Sequence, residues 1–497
     1  MSRFSLIFIG SFTLLISLFS FLNIIYSYYL NLFLNIDTYF TILISAFSFI
    51  NIIYSYYFDL FLNINTYFFI FLFSLIIGLF LIFFKRIHFK KINIYEKILI
   101  VIIGYLFFPV IISLPFYFSI NNISYLNSYF EAISGFTSTG FSIFDNIKQL
   151  DQSLIIWRSS SQWIGGLYFL FSLLLLIDIF DDNLKKSLTN YISFNSSETL
   201  KQSLKIIIIY SSITFIIFIF LKLINLRTFD SFNLSMTIIS SGGFLPMNNF
   251  DSLFKSDLSK IILSILILSS YFSLFFIYNL IFFKKNNLNY LSEDLYLALY
   301  LIIIIAILFI FFNSENNFLN ILVSLSSSVS NLGISFENIP SNLSFIFLIL
   351  VIIGGSFFST SSGLRVIKIL SLLKYSLNNL LSNTKPNQIY LNKVTLLKSN
   401  TDKSDVNKYF LTVLVFIISL FAVSSLLTIS GIKFENSFKL GILTIMNTVN
   451  SSMYGLADFN FYSINIMSKL SLILFMIIGR IELLTILILI KKFLFKN

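Results

Sequence analysis

The 497-residue sequence has no cysteine, one histidine and only 11% charged residues. Without cysteine there can be no disulfide and no thiolate metal site. The one histidine, His88, sits in the basic stretch Phe84-Lys-Arg-Ile-His-Phe-Lys-Lys91, where a solvated loop residue is the plain reading. There is no Walker-type glycine loop, no metal-ligand cluster and no paired nucleophile and base. These gaps argue against an enzyme, and no cofactor is expected on the chain. The net charge of +11 does not suggest nucleic acid, because in so apolar a chain the distribution of charge among loops matters more than its sum.

Apolar residues make up 57% of the sequence, Phe alone numbers 63, and the mean hydropathy is +0.90. A soluble domain of this length does not have that composition, so the fold class is an all-α polytopic membrane protein. Residues 4–22 are apolar and no small-residue cleavage site follows, which reads as a retained first membrane helix. Residues 20–40 recur at 48–68 with four differences. Two copies do not make a solenoid. The expectation is a local duplication that lengthens an outside connection between two N-terminal spans, the second at about 66–84.

After residue 91 one plan repeats four times: an outer helix, a short broken segment, and an inner helix. Outer helices are expected at about 96–119, 203–224, 295–312 and 408–430. Inner ones are expected at about 154–180, 260–283, 343–370 and 467–491. The units are 1–91 for the N-terminal helices, then 92–186, 187–285, 286–400 and 401–497 for the four repeats. Loops that follow inner helices are basic, with Lys185 and Lys186, Lys284 and Lys285, and Lys491 and Lys492. Loops holding the broken segments carry Asp145, Asp151, Glu315, Glu337 and Asp458. The positive-inside rule then puts all four broken segments on the outer side and the C-terminus in the cytoplasm. The basic stretch at about 371–407 would suit a partner-binding surface or a solvated loop equally well.

Phe130-Glu-Ala-Ile-Ser-Gly-Phe-Thr-Ser-Thr-Gly140 begins as a short helix and then breaks. Irregular backbone at membrane depth survives only where protein or water surrounds it, and small residues with glycine can replace a cation's water shell by carbonyls. Matching breaks occur at Ser240-Ser-Gly-Gly243 and at Asn331-Leu-Gly333, which brings Gly140, Gly243 and Gly333 into register. A plain helix-ending glycine is the alternative for any one loop. Gly354-Gly-Ser-Phe-Phe-Ser-Thr-Ser-Ser-Gly363 interrupts the third inner segment, as a gate or as a tight packing site. Gly354, Gly355, Ser359, Thr360 and Gly363 are its candidate residues. Arg480 and Glu482 fall inside the fourth inner span, where a charge faces a cavity or a partner. Arg480 could set a barrier to cations or belong to a buried ion pair. Glu131 is expected to brace the first loop. Trp157 and Arg158 read as an interface anchor, and Gly165-Gly166 as a packing site.

Jointly, Phe130 to Gly140, Trp157-Arg-Ser-Ser-Ser-Gln-Trp-Ile-Gly-Gly166, Gly354 to Arg365 and Gly479-Arg-Ile-Glu482 resemble the membrane subunit of the Trk/Ktr/HKT superfamily of potassium transporters, Trk-type above all. The resemblance implies two extra N-terminal helices, then four repeats around one potassium pore in the inner membrane. It implies a filter with one glycine loop per repeat. Ser138, Thr139 and Gly140 would form the first part and Ser241, Gly242 and Gly243 the second. Asn331, Leu332 and Gly333 would form the third, and Asn450, Ser451, Ser452 and Met453 the fourth. It further implies a gate at 354–363, an arginine under the filter at Arg480, a homodimer, and a separate cytosolic nucleotide-binding subunit. In two places the chain departs from the pattern. Arg365 stands where the family has lysine, and an ungapped alignment puts Met453 where the fourth glycine belongs. That second departure opens sodium permeation, or coupling to sodium or protons, as an alternative to strict potassium selectivity. A polytopic protein that has lost transport is the reading from another class.

Overall fold

The computed structural model describes residues 36–58, 60–84, 94–176, 199–248, 250–282, 292–312, 318–336, 339–384, 393–394, 399–400, 403–457, 459–481, 485 and 487–488. The apolar stretch 4–22, His88, Lys185, Lys186 and Glu482 lie outside them, as do Glu315, Glu337 and Asp458. The described residues are almost wholly helical, with only two pairs of two-residue strands. Two helices come first, α1 (Ile36–Tyr57) and α2 (Phe61–Phe84), and they pack on each other. The second copy of the duplicated segment is therefore helical. It is not part of a long outside connection: residues 48–57 finish α1, residues 61–68 begin α2, and its Asn51, Ser55 and Tyr67 are buried.

Repeat one runs through α3 (Ile94–Ser119), α4 (Tyr125–Phe136) and α5 (Gln152–Leu175). Repeat two has α6 (Thr199–Leu223), α7 (Thr228–Ser240), α8 (Asp257–Leu268) and α9 (Leu274–Ile281). Repeat three has α10 (Ser292–Phe312), α11 (Phe318–Val329), α12 (Ser344–Ile352) and α13 (Val366–Thr384). Repeat four has α14 (Lys403–Ile429), α15 (Phe434–Ile445) and α16 (Ile466–Arg480). The basic stretch after 370 thus begins as helix, through Thr384.

Five helices among the described residues are long and apolar enough to cross a membrane. One is Phe40–Tyr57, and the other four are the first helices of the four repeats. These outer helices bury as little as 22% of their apolar window, in Glu293–Phe311, so most of that surface is left for lipid. The inner α5 is the opposite case. It is buried from Ser153 to Leu174 and carries serines and Gln162 among its apolar residues. Polar side chains at membrane depth are tolerated where protein encloses them.

In repeats one, two and four a tight turn joins the outer helix to the short one. That turn contains a left-handed residue in three repeats: Asn122 at φ 67°, Asn225 at 66° and Gly431 at 101°. Asparagine and glycine adopt that conformation at least cost. Glycines let the inner helices press against the short ones. A side chain at Gly165 would strike the Phe136 carbonyl, and one at Gly479 the Ile445 carbonyl, so both inner helices touch the end of their own repeat's short helix.

Candidate functional site: a ring of four turns over a buried loop

The four short helices end in the same way. An amide donates to the carbonyl five residues back at 2.9 Å in each: Thr139 to Ser134, Gly242 to Thr237, Leu332 to Ser327 and Thr448 to Leu443. The residue before each of these amides is left-handed: Ser138 at φ 55°, Ser241 at 55°, Asn331 at 61° and Asn447 at 47°. This bond with a left-handed residue is the Schellman end of a helix. One turn is built four times.

The residue after each amide completes the register. It is Gly140 at φ 82°, Gly243 at 79° and Gly333 at 78°, and in the fourth turn it is Val449. This corrects the sequence alignment, which put Met453 in that place. Counting from the helix end, the counterpart of the three glycines comes four residues earlier, at Val449. Asn450, Ser451, Ser452 and Met453 lie beyond the turn. Asn450 donates to the Leu456 carbonyl at 3.0 Å, Ser452 pairs with Ser335 at 2.9 Å, and Met453 is buried in a short 3-10 turn.

The turns follow one another in a closed circuit. A Cβ built on Gly140 would strike the Gly242 carbonyl, one on Gly243 would come 2.7 Å from the Leu332 carbonyl, and one on Gly333 would come 2.5 Å from the Val449 carbonyl. Asn447 closes the circuit from turn four to turn one by donating to the Thr139 hydroxyl at 3.0 Å. Between turns three and four, the Asn331 amide also reaches the Thr448 hydroxyl at 3.2 Å.

Each turn is held from behind. Arg158 and Glu131 form an ion pair of 2.8 Å at 2% and 0% side-chain exposure. Glu131 accepts from the Ile143 amide at 2.9 Å and from Ser142 at 3.2 Å, and Arg158 also donates to Ser142 at 2.9 Å. The pair thus pins the chain leaving turn one. Arg158 itself is not an interface anchor. Its guanidinium is buried and lies 4.1 Å over the Phe244 ring, next to turn two. Gln162, which the sequence reading passed over, donates to the Gly242 carbonyl and accepts from the Phe244 amide at 3.3 Å. In turns three and four the left-handed asparagines reach their own inner segments: Asn331 to the Val351 carbonyl and Asn447 to the Met476 carbonyl, both at 2.9 Å.

The interruption expected at 354–363 is present and is buried from Gly354 to Ser362. Helix stops at Ile352, a parallel bridge joins Ile353–Gly354 to Leu364–Arg365, and helix resumes at Val366. Gly354 and Gly363 meet where the bridge closes; a Cβ on Gly363 would lie 2.7 Å from the Gly354 Cα. Inside the loop, Arg365 donates to the Ser356 carbonyl at 2.8 Å, the Ser361 carbonyl at 3.1 Å and the Ser359 hydroxyl at 3.2 Å. Thr360 donates to the Ile239 carbonyl at 2.7 Å, near the end of α7, which ties the loop to the second turn. The Gly355 amide donates to Ser361 at 3.1 Å.

The second inner helix is also broken, where a continuous span was expected. Between α8 and α9, the Tyr271 carbonyl accepts from Ser356 at 3.0 Å, and the Ser270 carbonyl accepts from Ser361 at 3.2 Å. The Leu274 amide donates to the Phe358 carbonyl at 3.0 Å. The signal was Ser269-Ser270 and Ser273 within an apolar run. On the far side Glu293 accepts from the Phe357 amide at 3.0 Å.

Arg480 does not sit inside a continuous helix. It ends α16, and Ile481 is extended. Its guanidinium donates to Ser362 of the loop at 2.7 Å and to Ser138 of turn one at 3.4 Å, and lies 4.2 Å over the Phe169 ring. Among the described residues it makes no ion pair.

No family model matches the chain. Over 417 residues it is 25% identical to the Trk system potassium uptake protein TrkH of Salmonella typhimurium, covering 79% of this chain and 84% of that one. It is 24% identical over 436 residues to an uncharacterized cation transporter of Methanocaldococcus jannaschii, covering 82% and 85%. The crystal structure of the potassium transporter TrkH from Vibrio parahaemolyticus superposes with a TM-score of 0.72 at 22% identity, covering 91% of this chain and 98% of that one. The chain thus shares its fold with that transporter, and through about four fifths of its sequence it is similar to the Trk-type potassium uptake proteins.

Proposed function

We propose that the protein is an inner-membrane potassium uptake pathway in which the four turns form the ion filter and the 354–363 loop forms the gate beneath it. The observation that carries this reading is the closed circuit of four identical helix ends, one from each repeat. Backbone oxygens gathered around one axis can replace the water shell of a cation without any titratable group. Glycine at three of the four positions allows the close approach such a ring needs. Arg480 and Arg365 place positive charge just under the ring, so the loop and Arg480 must shift before a cation passes. The named relatives that transport potassium add weight, as do the five spanning helices. By the same resemblance we propose a homodimer that binds a cytosolic nucleotide-binding subunit, with the C-terminus in the cytoplasm.

The test is rubidium, potassium and sodium flux into liposomes holding the purified protein under an imposed voltage. Rubidium and potassium flux well above sodium supports the reading. Equal sodium flux keeps the pore and removes the selectivity. Val449 is the specific observation that favours that second outcome, since one of four filter positions then lacks glycine. No flux of any ion, with the regulatory subunit supplied, would leave the pathway reading without support.

A further inference from the structure

We infer that the Val449 side chain is a single hydrophobic plug on the axis of the ring, and that it limits the rate at which cations pass. The inference rests on the pathway reading above and concerns a residue that departs from it. A Cβ built on Gly140 would lie 2.9 Å from the Val449 Cβ and 3.1 Å from its Cγ2. One built on Gly243 would lie 2.7 Å from the Cβ and 2.9 Å from Cγ1, and one on Gly333 would lie 2.8 Å from Cγ1. A carbon–carbon bond adds about 1.5 Å, so each glycine Cα is within about 4.5 Å of the isopropyl group, which is van der Waals contact. The three glycines belong to the three other turns. A group in contact with all of them lies between them.

The cause is local. Val449 is not left-handed, unlike the three glycines in its register. Its carbonyl, and not that of Thr448, faces Gly333. A β-branched residue avoids the left-handed region, so the fourth turn leaves the register one residue early and directs a side chain inward. The group is partly exposed, in line with a position at the wetted mouth of the ring. Methyl groups offer a dehydrated cation no oxygen, and a hydrophobic constriction excludes water by dewetting. A cation and the isopropyl group cannot share this space, so passage requires the valine to turn aside. Its χ1 has few alternatives.

The test compares rubidium flux into liposomes through the wild-type chain, Val449→Gly and Val449→Ala. Removing the plug should raise flux about tenfold or more for glycine, with alanine in between. Val449→Cys supplies a second reading, because the chain has no other cysteine. A bulky charged thiol reagent should abolish its flux if the position is on the axis. Wild-type flux that Val449→Gly leaves unchanged or lowers would overturn the plug and leave the pathway standing, as would reagent-treated Val449→Cys that conducts as before. If no ion moves through any of the proteins, both ideas fall. Should Val449→Gly not fold, the alanine variant and the thiol experiment decide the matter.

Discussion

Three turns of the ring and the fourth share a helix end, a bond and a left-handed residue, yet differ in what comes next. In turns one to three, glycine near φ 80° lets the backbone continue close to its neighbour. In turn four, Val449 takes that place and the neighbour meets a side chain. The Schellman end therefore does not depend on the residue that follows it. It depends on the amide five residues on from its acceptor and on a residue that tolerates αL. In the proposed filter, the lumen is narrowed by the residue that follows. One part of the motif thus secures the fold while its neighbour would be free to alter the proposed pore.

The largest expected effect comes from making turn one resemble turn four. Gly140→Ala adds a left-handed strain of about 1–2 kcal/mol and an overpacking cost of about 1–3 kcal/mol at the ring, so stability and flux should both fall. Liposome flux measures it, and the loss should shrink when Val449→Gly is added, because one of the two colliding groups is then gone. Full additivity of the two changes would show that Gly140 and Val449 do not meet.

Next is the support behind turn one. Glu131→Ala leaves Arg158 buried without its partner, at a cost of about 3–5 kcal/mol. Thermal unfolding in detergent should show a clear drop. An unchanged transition would mean that the ion pair does not hold the loop. Among the described residues turn four has no ion pair behind it, so Asn447→Ala should cost less, about 1–2 kcal/mol for its lost bonds to Thr139 and Met476. A loss as large as that of Glu131→Ala would erase the contrast between an ionic and a neutral brace.

The smallest effect belongs to Glu435, at the start of α15 and exposed. Lys439, 2.6 Å away, holds its carboxyl below the usual range, so any contribution is present above the ordinary carboxylate pKa and is lost as pH falls through the lowered one. An exposed pair on a helix surface contributes little. Glu435→Gln should leave flux and its pH profile as they are. A shifted profile would mean that charge on the fourth short helix steers ions toward the ring.

The repeated plan was legible because apolar runs of spanning length and basic loops recur together. Gly140, Gly243 and Gly333 were legible as one feature because each ends a short helix at the same point. Val449 was hidden, since the ungapped alignment followed glycine, whereas the register is set by backbone bonds that Asn447 satisfies as well as serine does. The break at Ser269–Ser273 was also hidden. Its partner, the 354–363 loop, lies about ninety residues away, and only the folded chain reveals that the two breaks bond to each other. The helical duplicated segment was misread for a related reason. Tyr, Asn and Ser lower its hydropathy, while in the fold it meets α5, with Tyr67 against Trp157.

All four turns are written into one chain, and this has a consequence for how such a pore can evolve. In a channel assembled from four copies of one short subunit, any substitution appears four times, and a valine in the ring would fill the lumen from every side. Here a codon change alters one quarter of the circuit. If the ring is the proposed filter, single steps can give it a mixed composition, with three quarters kept while the last quarter changes.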